Sequence, residues 1–110
     1  MPESFERGAL TEAVYYILLS LHQPMHGYAI MQNISRLSIG RVNLGAGTLY
    51  GAVNTLVEKQ WIESLSSESG TNPRKKEYII TELGKHVFVN EIERLTELIQ
   101  NGRSVMGGTK

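Results

Sequence analysis

The chain has 110 residues, 41% of them hydrophobic, with 11 basic and 11 acidic side chains and a formal net charge of +0. That length supports one domain, burying roughly 65% of its unfolded surface, and no run approaches the roughly 20 apolar residues needed to span a bilayer. The absence of cysteine excludes disulfides and thiolate chemistry and fits a reducing cytoplasm.

Met1 to Gly8 is polar and aperiodic, and residues 1–9 read as a mobile arm. From there Leu10, Ala13, Val14, Ile17, Leu18 and Leu21 recur at helical spacing, with Thr11 placed to cap the helix. Tyr15, Tyr16 and Leu19 widen the apolar side, so this helix is expected to be buried on more than one face. The run Ala13 to Leu21 has no basic segment before it and no cleavage site after it, so no export signal is expected. Gln23-Pro24 ends the helix, because a residue before proline avoids helical angles. A second helix is predicted from near His26-Gly27, carrying Ala29, Ile30, Ile34 and Leu37 on one face and breaking over Ser38 to Gly40. Arg41 to Leu44 alternates and is expected as a very short strand.

A third helix follows over Gly45 to about Lys59-Gln60. Leu49, Ala52, Val53, Leu56 and Val57 share one side and should point into the core. Thr48, Gly51, Asn54 and Thr55 lie opposite, with Tyr50 at the boundary. A glycine inside a helix costs about 1 kcal/mol relative to alanine, and close approach of another surface would explain Gly51. A helix apolar on one side and small and polar on the other suits the major groove of DNA.

Trp61 to Leu65 and Glu77 to Ile80 read as two strands around a loop at Ser66 to Pro73. The hairpin carries Arg74, Lys75 and Lys76 on its return side. Because side chains alternate along a strand, Lys75 should point away from its two neighbours, so at most two of the three reach the same phosphates. Thr81 is placed to cap a last helix running to about Gln100, closed by Asn101-Gly102 and followed by a Gly-rich tail. Phe88, Ile92, Leu95 and Ile99 are spaced four, three and four residues apart, with Leu98 beside them. That is a two-helix seam, expected to pair two subunits and to pack partly on the first helix of the partner.

The expected fold is mainly α with a small β-hairpin: a winged helix-turn-helix over residues 10–81, a C-terminal dimerisation helix over 82–101 and a flexible tail over 102–110. His26-Gly27-Tyr28, Gly47-Thr48-Leu49-Tyr50, Leu56-Val57-Glu58-Lys59-Gln60-Trp61-Ile62, Arg74-Lys75-Lys76-Glu77-Tyr78 and Thr81-Glu82-Leu83-Gly84 stand in this order along the chain. Together they resemble the PadR family of bacterial transcriptional regulators, in its small subfamily with one helix after the wing. The resemblance covers Leu10 to about Ile99. It implies a homodimeric winged-helix repressor of a pseudo-palindromic operator, sometimes released by a small molecule. It also implies that Thr48, Tyr50 and Asn54 touch DNA and that Arg74 to Lys76 form the basic wing. Two positions depart from the family pattern: Ala46 stands where proline is frequent, and Gln60 where glycine is frequent.

On the chemistry of the side chains, Thr48 and Tyr50 near a helix start suit phosphates, helped by the helix dipole. Asn54 and Thr55 further along suit base edges, and asparagine pairs bidentately with adenine. His22 and His26 have the spacing of helical metal ligands, but Pro24 between them prevents alignment, and His86 is remote. No Ser-His-Asp set, phosphate-binding glycine loop or metal motif is evident, so neither catalysis nor a cofactor is expected. Tyr15, Tyr16 and Trp61 form a candidate pocket for a small aromatic effector, with core and interface packing as the other reading. The rival to DNA binding is a winged-helix protein-interaction module. A basic wing beside a small polar helix favours DNA, since a protein-binding face more often exposes large apolar side chains.

Overall fold

The Thr11 hydroxyl accepts the Val14 N–H at 3.1 Å, so helix α1 (Glu12–Ser20) starts at the cap the sequence offers. The structure is a computed structural model and describes residues 9–65 and 76–107. Residues 1–8 of the expected mobile arm, the loop from Ser66 to Pro73, the wing residues Arg74 and Lys75, and residues 108–110 of the expected tail lie outside the described residues. After α1 come β1 (Met25–His26), α2 (Gly27–Leu37), α3 (Ala46–Glu58), β2 (Ile62–Leu65), β3 (Glu77–Ile80) and α4 (Glu82–Gly107). The fold is mostly helical with a small antiparallel sheet in the order β1-β3-β2.

The core forms where α1, α2 and α3 meet the sheet. Ile17, Leu18, Leu21, Ile30, Ile34, Leu49, Val53, Leu56 and Ile62 are buried there, with Tyr78 and Ile80 from β3 closing it. Leu37 and Val57, expected on the inner faces, are exposed. Both stand in the last turn of a helix, where the line of buried residues has already left the core.

Two of the glycines in the quoted motifs have a packing reason. A Cβ on Gly27 would lie 2.1 Å from the Tyr50 hydroxyl, and one on Gly84 would lie 2.1 Å from the Trp61 carbonyl oxygen. Gly27 therefore lets α3 close on the start of α2, and Gly84 lets α4 close on the turn before β2.

Helices α2 and α3 end in the same way. Gly40 N donates to Ser35 O and Ile39 N to Arg36 O, with Ile39 at φ 55; Trp61 N donates to Leu56 O and Gln60 N to Val57 O, with Gln60 at φ 67. This is the Schellman closure, in which glycine is the usual left-handed residue. Here a β-branched isoleucine and a glutamine occupy it.

Two expectations are corrected. Arg41 to Leu44 forms no strand; the third strand comes from Met25–His26, which pairs with Tyr78 and Glu77 of β3. The backbone of the expected strand is held by local side chains instead: Val42 N donates to Ser38 Oγ, and Asn43 Nδ2 to Gly40 O. Second, the last helix does not close at Asn101-Gly102 but continues to Gly107, so residues 102–107 of the expected flexible tail are helical. Gly102 is not left-handed, and without that turn each further residue adds a helical hydrogen bond.

Only the first half of α4 is tied to the domain. Glu91 is buried in it, and from Thr96 to Gly107 every residue is exposed. The Glu91 carboxylate accepts the Leu10 N–H at 3.2 Å and a bidentate Arg94 at 2.8 and 2.7 Å, joining the entry to α1 with α4. Arg94 holds the Glu91 carboxyl below the usual carboxylate range against the opposing effect of burial, and the Leu10 N–H adds to it.

Candidate nucleic-acid interface

Gly47, Thr48, Gly51, Asn54 and Thr55 all stand on the exposed side of α3, opposite buried Leu49, Val53 and Leu56. A charged surface helix would present long side chains there; this one presents small ones. Gly45, at the N-cap, has no side chain to occupy the first-turn N–H groups, and no acidic residue follows in that turn. Those N–H groups and the positive end of the helix dipole remain available to an anion. Among the described residues nothing lies within 4 Å of a Cβ built on Gly51, so none of them makes the close approach expected there. The Thr55 hydroxyl donates back to Gly51 O at 3.2 Å, which leaves its lone pairs facing out. Among the described residues the Asn54 amide has no hydrogen-bond partner.

Tyr50 is placed differently from the other expected contacts. Its ring is half-buried against the core, and its hydroxyl sits on Gly27. It spaces α3 from α2, and its nearness adds to burial in pushing the Tyr78 hydroxyl above its ordinary pKa. Of the wing residues, Lys76 is described and exposed, at the base of β3.

The expected dimer stripe divides. Phe88 is half-buried within its own chain, stacked on Tyr15 at 4.9 Å and edge-on to His22 at 5.0 Å. Leu95 lines a cleft of about 370 Å³ between α1 and α4, together with Leu10, Glu12, Tyr15, Tyr16, Glu91 and Arg94. Ile92, Leu98 and Ile99 are exposed, as are Val105 and Met106 further along.

The three aromatic residues expected to form one pocket are also divided. Tyr15 and Tyr16 line the α1–α4 cleft; Trp61 does not, since it stands under the Lys59 ammonium at the turn into β2. Burial raises the Tyr15 pKa, with Tyr16 and Glu91 adding to it. Sequence reasoning passed over Glu91, whose signal was its place three residues after Phe88 and four before Leu95, on the apolar seam itself. His22 bonds the carbonyls at the end of α1, and His26 caps α2 with Nδ1, so each ring serves its own backbone. Among the described residues no group of three acidic or histidine side chains could hold a metal, and no helix is long and apolar enough to cross a membrane.

Residues 16–90 match the model of the Transcriptional regulator PadR-like family. An uncharacterized 37.1 kDa protein in transposon TN4556 of Streptomyces fradiae is 33% identical over 75 residues. That match covers 68% of this chain and 20% of the relative, so the chain spans about a fifth of that protein's length. Among solved structures, a PadR family transcriptional regulator from Eggerthella lenta is 26% identical with a TM-score of 0.66, covering 88% of this chain and 82% of that one. A PadR-like transcription factor from Bacteroides fragilis shares the fold at 24% identity, with a TM-score of 0.71 and coverage of 94% and 96%.

Proposed function

The chain belongs to the PadR-like family of transcriptional regulators, and on that premise we propose that it is a cytoplasmic DNA-binding repressor, acting as a homodimer on a pseudo-palindromic operator. The observation that carries this reading is the exposed face of α3, where Thr48, Gly51, Asn54 and Thr55 leave the helix slim enough for the major groove. Thr48 and the first-turn N–H groups take phosphates, Asn54 reads an adenine edge, and Thr55 accepts from or packs on a neighbouring base. Gly51 lets the groove wall come within contact of the helix backbone. Arg74, Lys75 and Lys76, which precede β3 in the sequence, grip the flanking phosphates and supply affinity that does not depend on sequence. The function is binding rather than catalysis, with no cofactor.

Pairing places two α3 helices about 34 Å apart, one turn of duplex, so that both read one face of the DNA. The exposed stripe of α4, with Ile92, Leu98 and Ile99, supports pairing: these side chains are only partly covered among the described residues and gain about 25 cal/mol per Å² of apolar surface removed from water. The outer half of each α4 packs against α1 of the partner. A small aromatic effector between Tyr15 and Tyr16 in the adjoining cleft alters that packing and releases the operator. Trp61 takes no part.

Selection of bound fragments from random duplex DNA by the purified protein tests the reading. Enrichment of an inverted repeat is the expected result. Absence of enrichment at low salt would reject sequence-specific DNA binding and favour a protein partner for the same face. Asn54→Ala should then relax preference at one position of each half-site by about 1–3 kcal/mol.

A further inference from the structure

The motif His26-Gly27-Tyr28 is explained by the fold except for its last residue. His26 caps α2 through Nδ1, which accepts the Ala29 N–H at 3.3 Å. Gly27 makes room for the Tyr50 hydroxyl. Tyr28 is 59% exposed, off the buried line of Gly27, Ile30 and Ile34, and among the described residues its hydroxyl has no partner. A large aromatic side chain left in water at the start of a helix has no stabilising reason there.

Its position supplies one. The Gly27–Tyr50 contact fixes the start of α2 against the second turn of α3, beside the outward face of that helix. On the other side, His26 pairs with Glu77 in the β1–β3 ladder, and the residue before Glu77 is exposed Lys76. Tyr28 therefore directly follows two residues that bind α2 to the groove-reading helix and to the strand beside Lys76. No acidic residue in the first turn of α2 would repel a phosphate there.

We propose that Tyr28 is a further DNA-binding residue, its phenol donating to a backbone phosphate between those held by α3 and those held by the wing. The proposal rests on the DNA-binding reading above and deepens it. A tyrosine in this place fixes the register of the protein on the duplex without reading sequence. Being uncharged, it displaces no counterion, which separates its role from that of Lys76.

The test measures binding of Tyr28→Phe, Tyr28→Ala and Lys76→Ala by fluorescence anisotropy. One labelled duplex carries the selected inverted repeat and another a scrambled sequence, from about 50 to 200 mM salt. Tyr28→Phe should weaken binding to both duplexes alike, by about a hundredfold, since each of two protomers loses a hydrogen bond to a charged group worth about tenfold. Its salt slope should match that of the wild type, whereas Lys76→Ala, which removes one cation from each of two protomers, should show a slope shallower by about two. Its thermal midpoint should equal that of the wild type, since among the described residues the hydroxyl makes no hydrogen bond to lose.

Wild-type affinity in both Tyr28 variants, with Lys76→Ala weakened, would overturn the proposal and leave the DNA-binding reading standing. A loss confined to the inverted repeat would also overturn it, by making Tyr28 a reader of bases. Failure of the wild type to bind any duplex would overturn both.

Discussion

Replacing Gly84 by alanine puts a methyl group 2.1 Å from the Trp61 carbonyl oxygen, 2.7 Å from Ile80 Cγ1 and 3.0 Å from the Trp61 carbonyl carbon. Ordinary contact starts near 3.4 Å, so helix and turn must part by more than an ångström. The nearest obstacle is backbone and cannot rotate aside. The same carbonyl accepts the Thr81 N–H at 3.0 Å and the Thr81 hydroxyl at 3.1 Å, and loosening those bonds costs about 1 kcal/mol each. Overpacking adds about 1–3 kcal/mol. Against this, alanine gains up to about 1 kcal/mol over glycine in a helix. Gly84→Ala should therefore destabilise the protein by about 2–4 kcal/mol, opposite in sign to the intrinsic helix preference. Urea titration at matched protomer concentration, followed by emission of the single tryptophan and by circular dichroism, should show a lower midpoint with unchanged slope. A midpoint equal to or above that of the wild type would refute the close-approach argument.

Four other outcomes are expected. Gly51→Ala, with open space for its methyl group, should raise stability by about 0.5–1 kcal/mol while lowering operator affinity; thermal melts and anisotropy read the two effects separately. Gln60→Gly should stabilise the protein by about 1 kcal/mol, because the residue sits at φ 67, where glycine carries no Cβ penalty. The Glu91 carboxyl is lowered from its ordinary value of 4.5 by Arg94. Its stabilising contribution is thus full above about 4.5 and lost as pH falls through the lower folded value, and Glu91→Gln should flatten that acid limb of the melting-point profile. Ile99→Asp, at a position 52% exposed within its own chain, should leave helix content unchanged but shift light-scattering mass from two subunits to one.

The helices were legible where a cap or a core period marks them. Thr11 and Thr81 both accept the N–H three residues on, and Leu49, Val53 and Leu56 fall inward as their spacing requires. The small outward face of α3 follows from the same period. Less was visible where a partner distant in sequence decides. Met25–His26 shows no alternation of its own and becomes a strand because Tyr78 and Glu77 lie beside it, while Arg41 to Leu44 alternates without a neighbour to pair. Gly27 and Gly84 could be matched to a family pattern, but their reasons, Tyr50 and the Trp61 carbonyl, lie 23 residues away in each case. Tyr50 sat on the boundary of the helical wheel, and only the approach of α2 turns it inward. Glu91 escaped notice because a seam is counted in apolar residues, and a carboxylate joins one only when a backbone N–H and an arginine meet it there.

Helix α4 spans 26 residues, about 39 Å at 1.5 Å per residue, and is anchored mainly near one end. Its first half is held from the Gly84–Trp61 contact as far as Glu91, whose carboxylate meets Leu10 and Arg94. The 12 residues from Thr96 to Gly107 project about 18 Å beyond that anchorage, so a tilt of about ten degrees there would carry the tip through about 3 Å, close to one base-pair rise of about 3.4 Å. If two copies pair through this segment as proposed, the permitted gap between half-sites is calibrated far from the DNA, by how firmly one carboxylate grips the entry to the first helix.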